Sequence, residues 1–148
     1  MGYTIGQVAQ KFGLTAHTLR YYDKEGLLPF LKKNASGVRV FSEQDVEWLV
    51  IIECLKGTGL QLKDIKRYID LAQEGNGTLE KRLEMFKRQK EKLKIQMTQL
   101  NDYMEKIDYK IAWYEDAIAH GDVNVLERNK KLAVMKEKIF KNACIRKK

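Results

Sequence analysis

The stretch LTAHTLRYYDKEGLLPF, residues 14–30, decides the fold of this 148-residue chain. Thr15 is a good N-cap for a helix, and Gly26 and Pro29 close it. Successive side chains on a helix point about 100° apart, so Tyr21 and Tyr22 cannot share one environment. His17, Arg20, Tyr21 and Lys24 fall at i, i+3, i+4 and i+7. They form one face on which every member can donate a hydrogen bond. Leu19 and Tyr22 lie on another face, flanked by Leu14 and Leu27. The spacing predicts an exposed Arg20 and Tyr21 and an at least partly packed Tyr22.

Working outward, Thr4-Ile5-Gly6-Gln7 has the form of a capping box, followed by Val8, Ala9 and Phe12 at core spacing and a stop at Gly13. Two short helices joined through a glycine turn make a helix-turn-helix. Residues 30–41, FLKKNASGVRVF, alternate differently. Phe30 and Leu31, then Val38, Val40 and Phe41, flank a polar glycine-containing turn and predict a β-hairpin, a basic wing. Ser42 then caps a third helix with an acidic first turn and Val46, Leu49, Val50 and Leu55. GTG at 57–59 breaks it. A fourth helix carries Ile65, Tyr68, Ile69 and Ala72 and stops at GNG, 75–77.

From Thr78 the pattern changes to a long heptad. Leu79, Phe86, Leu93, Leu100, Ile107 and Tyr114 form one seam; Leu83, Lys90, Met97, Met104, Ile111 and Ile118 form the second. Eleven of these twelve positions are apolar, and neither Gly nor Pro occurs from 78 to 120. This predicts a coiled coil, with Lys90 as the polar residue that sets register and partner number. The seams do not fix strand direction. Gly121 ends the helix and Asp122 caps another, with an apolar stripe of Val125, Leu132 and Ile139 beside Leu126, Ala133 and Phe140. The expected division is 1–77 for the winged head, 78–120 for the dimerisation helix, and 121–148 for a C-terminal helix and basic tail with a frayed end.

Charge is distributed unevenly. Residues 1–42 carry a net +4, residues 43–78 a net −3 and residues 79–148 a net +7, within an overall +8. The basic first 42 residues therefore suit a polyanion, whereas the basic tail suits a solvated helical face. No apolar run approaches a membrane helix, and MGYTIGQVAQ has no basic patch followed by an apolar stretch. A cytoplasmic protein with no membrane partner is expected. Cys54 and Cys144 form neither a metal pair nor a disulfide framework, and Cys144 reads as incidental. Two distant histidines, no phosphate-cradling glycine loop and no paired carboxylates argue against an enzyme. No cofactor is expected.

An exposed Arg-Tyr pair on a recognition helix suits DNA. A guanidinium bridges phosphates or reads guanine, and a phenol donates to phosphate. Lys32, Lys33 and Arg39, on or beside the hairpin, are placed to neutralise phosphates.

Three segments now carry a resemblance: TIGQVAQKFGLTAHTLRYYDKEGLLPF, SGVRVFSEQDVEWL and LKGTGLQLKDIKRYI. Together, over residues 3 to about 73, they resemble the DNA-binding head of MerR-type bacterial transcription regulators. The resemblance implies a mainly α fold: a winged helix-turn-helix head, a long antiparallel coiled-coil dimerisation helix and a short C-terminal helix. It implies a homodimer on a pseudo-palindromic site in double-stranded promoter DNA whose −35 and −10 elements are too far apart. Bending and untwisting that DNA lets RNA polymerase engage both, so polymerase is a partner through DNA. Thr18, Arg20 and Tyr21 match the recognition helix, with Tyr22 beside them, and Arg39 matches the wing arginine. Val38 departs from the aromatic or arginine of many members. The DNA-facing set is then Thr4, Thr15, His17, Thr18, Arg20, Tyr21, Tyr22, Lys24, Lys32, Lys33 and Arg39, with Tyr22 given mainly a packing role by its phase.

The signal is less defined. Metal-sensing members have cysteines where this chain reads WYEDAIAHGDVNVL, which offers only His120, so no metal site is expected. IIECLKGTGL, residues 51–60, resembles the branch that responds to aldehydes, electrophiles and nitrosative stress, and makes Cys54 a candidate sensor. Lys56, Lys63 and Arg67 are candidate cations for its thiolate, but a helix C-terminus disfavours negative charge. Plain burial of Cys54 as a small hydrophobe is the competing reading. A small-molecule effector is a further candidate partner, with Trp113, Tyr109, Tyr114 and Phe140 as lining. Two other functions stay open: a plain repressor or architectural DNA-binding protein, and a coiled-coil adaptor whose winged head binds protein.

Overall fold

The computed structural model describes residues 2–145; the Cys144 side chain and residues 146–148, where a frayed end is expected, lie outside the described residues. The chain is mainly helical with one small sheet and divides into two compact units, Met1–Lys90 and Glu91–Lys148.

In the first unit, α1 (Ile5–Phe12) starts at the Thr4–Gln7 capping box and ends at Gly13, whose φ of 64° is the left-handed conformation that glycine adopts without strain. α2 (Ala16–Lys24) starts where the Thr15 hydroxyl accepts from the Thr18 N–H at 3.0 Å. It stops where Leu27 N–H returns to the Tyr22 carbonyl at 2.9 Å, with Gly26 at a φ of 79°. Val8 and Ala9 of α1 belong to the same core as Leu19 and Tyr22 of α2, so the two helices form one packed motif.

The wing is present, with its strands displaced from expectation. β2 is Lys32–Lys33 and β3 is Arg39–Phe41, paired antiparallel as Lys32↔Val40 and Lys33↔Arg39. The Asn34 side chain accepts from the N–H groups of Ser36 and Val38, and this local bonding sets the turn. Phe30 lies outside the sheet and stacks on Trp48 instead, with centroids 5.6 Å apart. A strand the sequence did not disclose, β1 (Tyr3–Thr4), pairs with the other edge of β3, giving the order β1-β3-β2.

α3 (Glu43–Gly57) begins at a second capping box, Ser42–Asp45. It contributes Val46, Leu49, Ile52 and Leu55 to the core; Val50, expected there, is half exposed, because Ile52 occupies the inward position of the apolar run. α4 (Leu62–Gln73) adds the fully buried Ile65 and Ile69. Phe30, Trp48, Tyr68 and Phe86 form a continuous chain of ring contacts, with steps of 5.6, 5.8 and 5.1 Å. Such aromatic pairs add roughly 0.5–1.5 kcal/mol each beyond area burial.

A 3-10 turn (Asn76–Thr78) leads into α5 (Leu79–His120), 42 residues and roughly 60 Å long at 1.5 Å per residue. Its first three turns are part of the first unit, which extends past the expected limit at 77. The cause is specific bonding. Arg82 donates to the Thr78 hydroxyl and the Gly75 carbonyl, and Gln89, 8% exposed, donates to the Thr58 hydroxyl at 2.7 Å.

In the second unit, the single C-terminal helix expected from Asp122 is divided. α6 spans Val125–Arg128 and α7 spans Lys130–Ile145. Asn129, with φ −106° and ψ 92°, breaks the run, and its side-chain oxygen accepts from Leu132 N–H to start α7. Asp122 instead accepts from the N–H of Asn124, the residue at the N-cap position of α6, and so lies two residues before the cap. Val125 and Leu132 of the apolar stripe are buried, whereas Phe140 is exposed.

Candidate nucleic-acid interface

The outer face of α2 holds His17, Arg20, Tyr21 and Lys24, all exposed, as a stripe of donors about two helical turns long. Thr18 is half-buried and its hydroxyl lies 2.9 Å from that of Thr15. Thr4 and Thr15 are exposed N-caps whose hydroxyls are committed to the backbone N–H groups of Gln7 and Thr18. Thr15 marks the start of the helix that carries the donor face, where N–H groups and the helix dipole favour an anion.

Tyr22 does not belong to this face. It is 1% exposed, so its place in the DNA-facing set is corrected to a core role, as the 3.6-residue phase predicts. Its hydroxyl donates to Glu53 Oε1 and accepts from Lys56 Nζ, both at 2.8 Å. Burial pushes the Tyr22 phenol above its ordinary value; the Lys56 ammonium opposes this and the Glu53 carboxylate reinforces it. The recognition helix is thus bolted to α3 by one buried phenol.

On the wing, Lys32 and Lys33 are exposed. Arg39 is not a free cation: its Nε donates to Asp23 Oδ2 at 2.5 Å, tying β3 to the last turn of α2. Asp23 was not among the sequence candidates. Its only signal was its position three residues after Arg20.

In the single chain Cys54 is exposed and stands outside the buried core of the head. The nearest sequence cation, Lys56, is engaged by the Tyr22 phenol, and that bond raises the Lys56 ammonium above its ordinary value. Among the described residues no three His, Cys, Asp or Glu side chains are grouped to hold a metal ion, and no helix is long and apolar enough to cross a membrane.

The heptad seams of α5 are bare. Leu79, Leu83, Phe86, Lys90, Met97, Leu100, Met104, Ile107, Ile111, Tyr114 and Ile118 are exposed, and Leu93 is half-buried. Of the four aromatics considered as an effector lining, Trp113 and Tyr114 meet edge to face at 5.0 Å, with Lys110 over both rings. Phe140 carries Lys136 over its ring.

Residues 3–72 match the model of the MerR HTH family regulatory protein. An HTH-type transcriptional regulator of Haemophilus influenzae is 43% identical over 126 residues, which is 85% of this chain and 93% of that protein. The HTH-type transcriptional regulator AdhR of Bacillus subtilis is 40% identical over 89 residues, 60% of this chain and 64% of AdhR. Among solved structures, HiNmlR, a MerR family regulator lacking the sensor domain and bound to promoter DNA, superposes with a TM-score of 0.76 at 43% identity. That match covers 84% of this chain and 99% of HiNmlR.

Proposed function

Because the chain belongs to the MerR family of helix-turn-helix transcription regulators, whose members are not enzymes, we propose that it binds promoter DNA as a homodimer through α2 and the wing. The observation that carries this reading is the undivided donor face of His17, Arg20, Tyr21 and Lys24, exposed beside Lys32 and Lys33. HiNmlR, the structural relative described above, is bound to promoter DNA, which supports the same reading here. Arg20 reads base edges or phosphate, Tyr21 donates to phosphate, and the wing lysines neutralise the flanking backbone.

Two copies joined along the bare α5 seams present two such faces, and two faces fit a pseudo-palindromic site. Grip on both sides of the site centre is what a protein needs to bend and untwist the DNA between. The proposed action is activation of a promoter with an over-long spacer, in a bacterial cytoplasm, in response to a small-molecule or stress signal. RNA polymerase takes part through the reshaped DNA.

The test is transcription in vitro from an over-spaced promoter carrying the binding site, with spacer length varied. Activation that disappears when the spacer is shortened to the ordinary length supports the mechanism. Repression at every spacer length supports a plain repressor instead. Absence of salt-dependent DNA binding supports the adaptor reading, since phosphate contacts make affinity fall steeply with salt.

A further inference from the structure

We propose that Arg39 is a positioning residue: through its ion pair with Asp23 it fixes the wing against the recognition helix and leaves Arg20 free for DNA. The inference rests on the reading of α2 as a recognition helix, and it removes Arg39 from the phosphate-neutralising set.

Asp23 lies three residues after Arg20, so the two are surface neighbours on α2. A carboxylate there has two adverse effects. It competes with DNA for the Arg20 guanidinium, and it repels phosphates that approach the last turn of the helix. Arg39 answers both. Its Nε holds Asp23 Oδ2 at 2.5 Å, with only 32% and 24% of the two side chains exposed. Arg20 is exposed and takes part in no ion pair among the described residues.

The pair also closes a ring in the fold. Arg39 is opposite Lys33 in β3, and the next residue, Val40, is opposite Thr4 in β1. Thr4 is the N-cap of α1. The path α1, β1, β3, Arg39, Asp23, α2 therefore returns to α1 through the turn at Gly13. Across this ring, the exposed Lys32 and Lys33 are held at a set distance from Arg20 and Tyr21. Two groups that must meet one DNA backbone together gain affinity from being placed in advance.

The experiment compares the wild-type chain, Arg39→Ala, Arg39→Gln and the exchanged pair Asp23→Arg/Arg39→Asp. The probe is a DNA duplex selected by the wild-type protein from a random-sequence library. Binding is read by fluorescence anisotropy, and amide hydrogen exchange is read at Asn34 and Val40 in the free protein. We expect both single substitutions to weaken binding by about fivefold, the scale of a partly exposed ion pair, and to speed exchange in the wing. The exchanged pair recovers binding to within about twofold and restores slow exchange. Recovery of neither, or unchanged exchange in both single variants, overturns the inference, because an arginine that only touches phosphate leaves the free wing unaffected. If the wild type selects no duplex, the DNA reading itself fails, and the exchange comparison alone decides whether the clamp exists.

Discussion

Tyr21 and Tyr22 are adjacent in the chain yet 45% and 1% exposed. One ring belongs to the exposed donor face of α2 and the other to the core beneath it. The difference of about 100° between neighbouring helix positions produces the separation. Substitution should therefore divide cleanly. Tyr22→Ala removes a fully buried aromatic and costs about 3–5 kcal/mol, seen as a large fall in melting temperature. Tyr22→Phe keeps the ring but leaves Glu53 and Lys56 without their shared hydroxyl, at roughly 1–3 kcal/mol. Arg20→Ala and Tyr21→Phe leave melting unchanged and weaken binding to promoter DNA. An unchanged melting temperature for Tyr22→Ala sinks this assignment.

The bare seams of α5 make assembly the next quantity to measure. Leu100 and Ile107 are each about 60% exposed in one copy. Leu100→Asp together with Ile107→Asp places charges where a second helix must pack. In sedimentation equilibrium the wild type should behave as twice the 17.3 kDa chain mass and the double variant as that mass alone. DNA affinity should fall when dimerisation is lost, since one head then binds without the other. A wild type that sediments as a single chain refutes the coiled-coil reading.

Acid sensitivity should concentrate at the join between α5 and α6. The Asn129 amide, followed by the Arg128 guanidinium, holds the Asp116 carboxyl below the usual carboxylate range, and Arg128 does the same for Asp122. Arg128 Nη2 is 2.6 Å from Asp116 and its Nη1 is 2.9 Å from Asp122. A carboxyl lowered in the folded state contributes stability above its unfolded value, about 3.9, and loses it as pH falls through the lowered folded value. Protection of residues 122–130, taken as the slowing of exchange relative to unstructured peptide at the same pH, should thus be constant between neutral pH and about 5, then fall in more acid solution. Arg128→Ala should lower protection at neutral pH and reduce the acid-side loss to the part that the Asn129 amide supports. An identical pH profile in wild type and variant counts against the clasp.

Cys54 is the fourth point of test. It is exposed on α3, one residue from Glu53 and two from Lys56, the pair that holds the Tyr22 phenol. If Cys54 is the sensor, Cys54→Ser abolishes promoter induction by formaldehyde or methylglyoxal while DNA binding persists. Full induction in the Ser variant removes Cys54 from the signalling path.

The parts of the fold legible in sequence are those written locally. Thr4, Thr15 and Ser42 are caps that act within three residues, and Gly13 and Gly26 are stops that act at one, so helix boundaries could be read without knowing the tertiary structure. The donor face of α2 follows from phase alone. What stayed hidden depends on partners distant in sequence or on ambiguous runs. β1 is two residues long and carries no period. Val50, Ile51 and Ile52 are consecutive and apolar, so the inward member is set by the core and not by the pattern. Asn129 interrupts an apolar stripe that would otherwise read as one helix. The Asp23–Arg39 pair joins residues 16 apart on different elements, among 20 acidic and 28 basic residues. No local rule selects it.

The bond from Gln89 to Thr58 bears on where this molecule can be cut. A cut at the glycine-rich turn near residue 77 looks natural, but it strips Tyr68 of its Phe86 neighbour and removes the Arg82 donor that fastens Gly75 and Thr78. The smallest portable reader of DNA in this chain therefore ends at about Lys90, after the third turn of the long helix. Grafted onto a foreign dimerising helix, it should carry those three turns with it as part of its own architecture, and the foreign heptads should begin only beyond them.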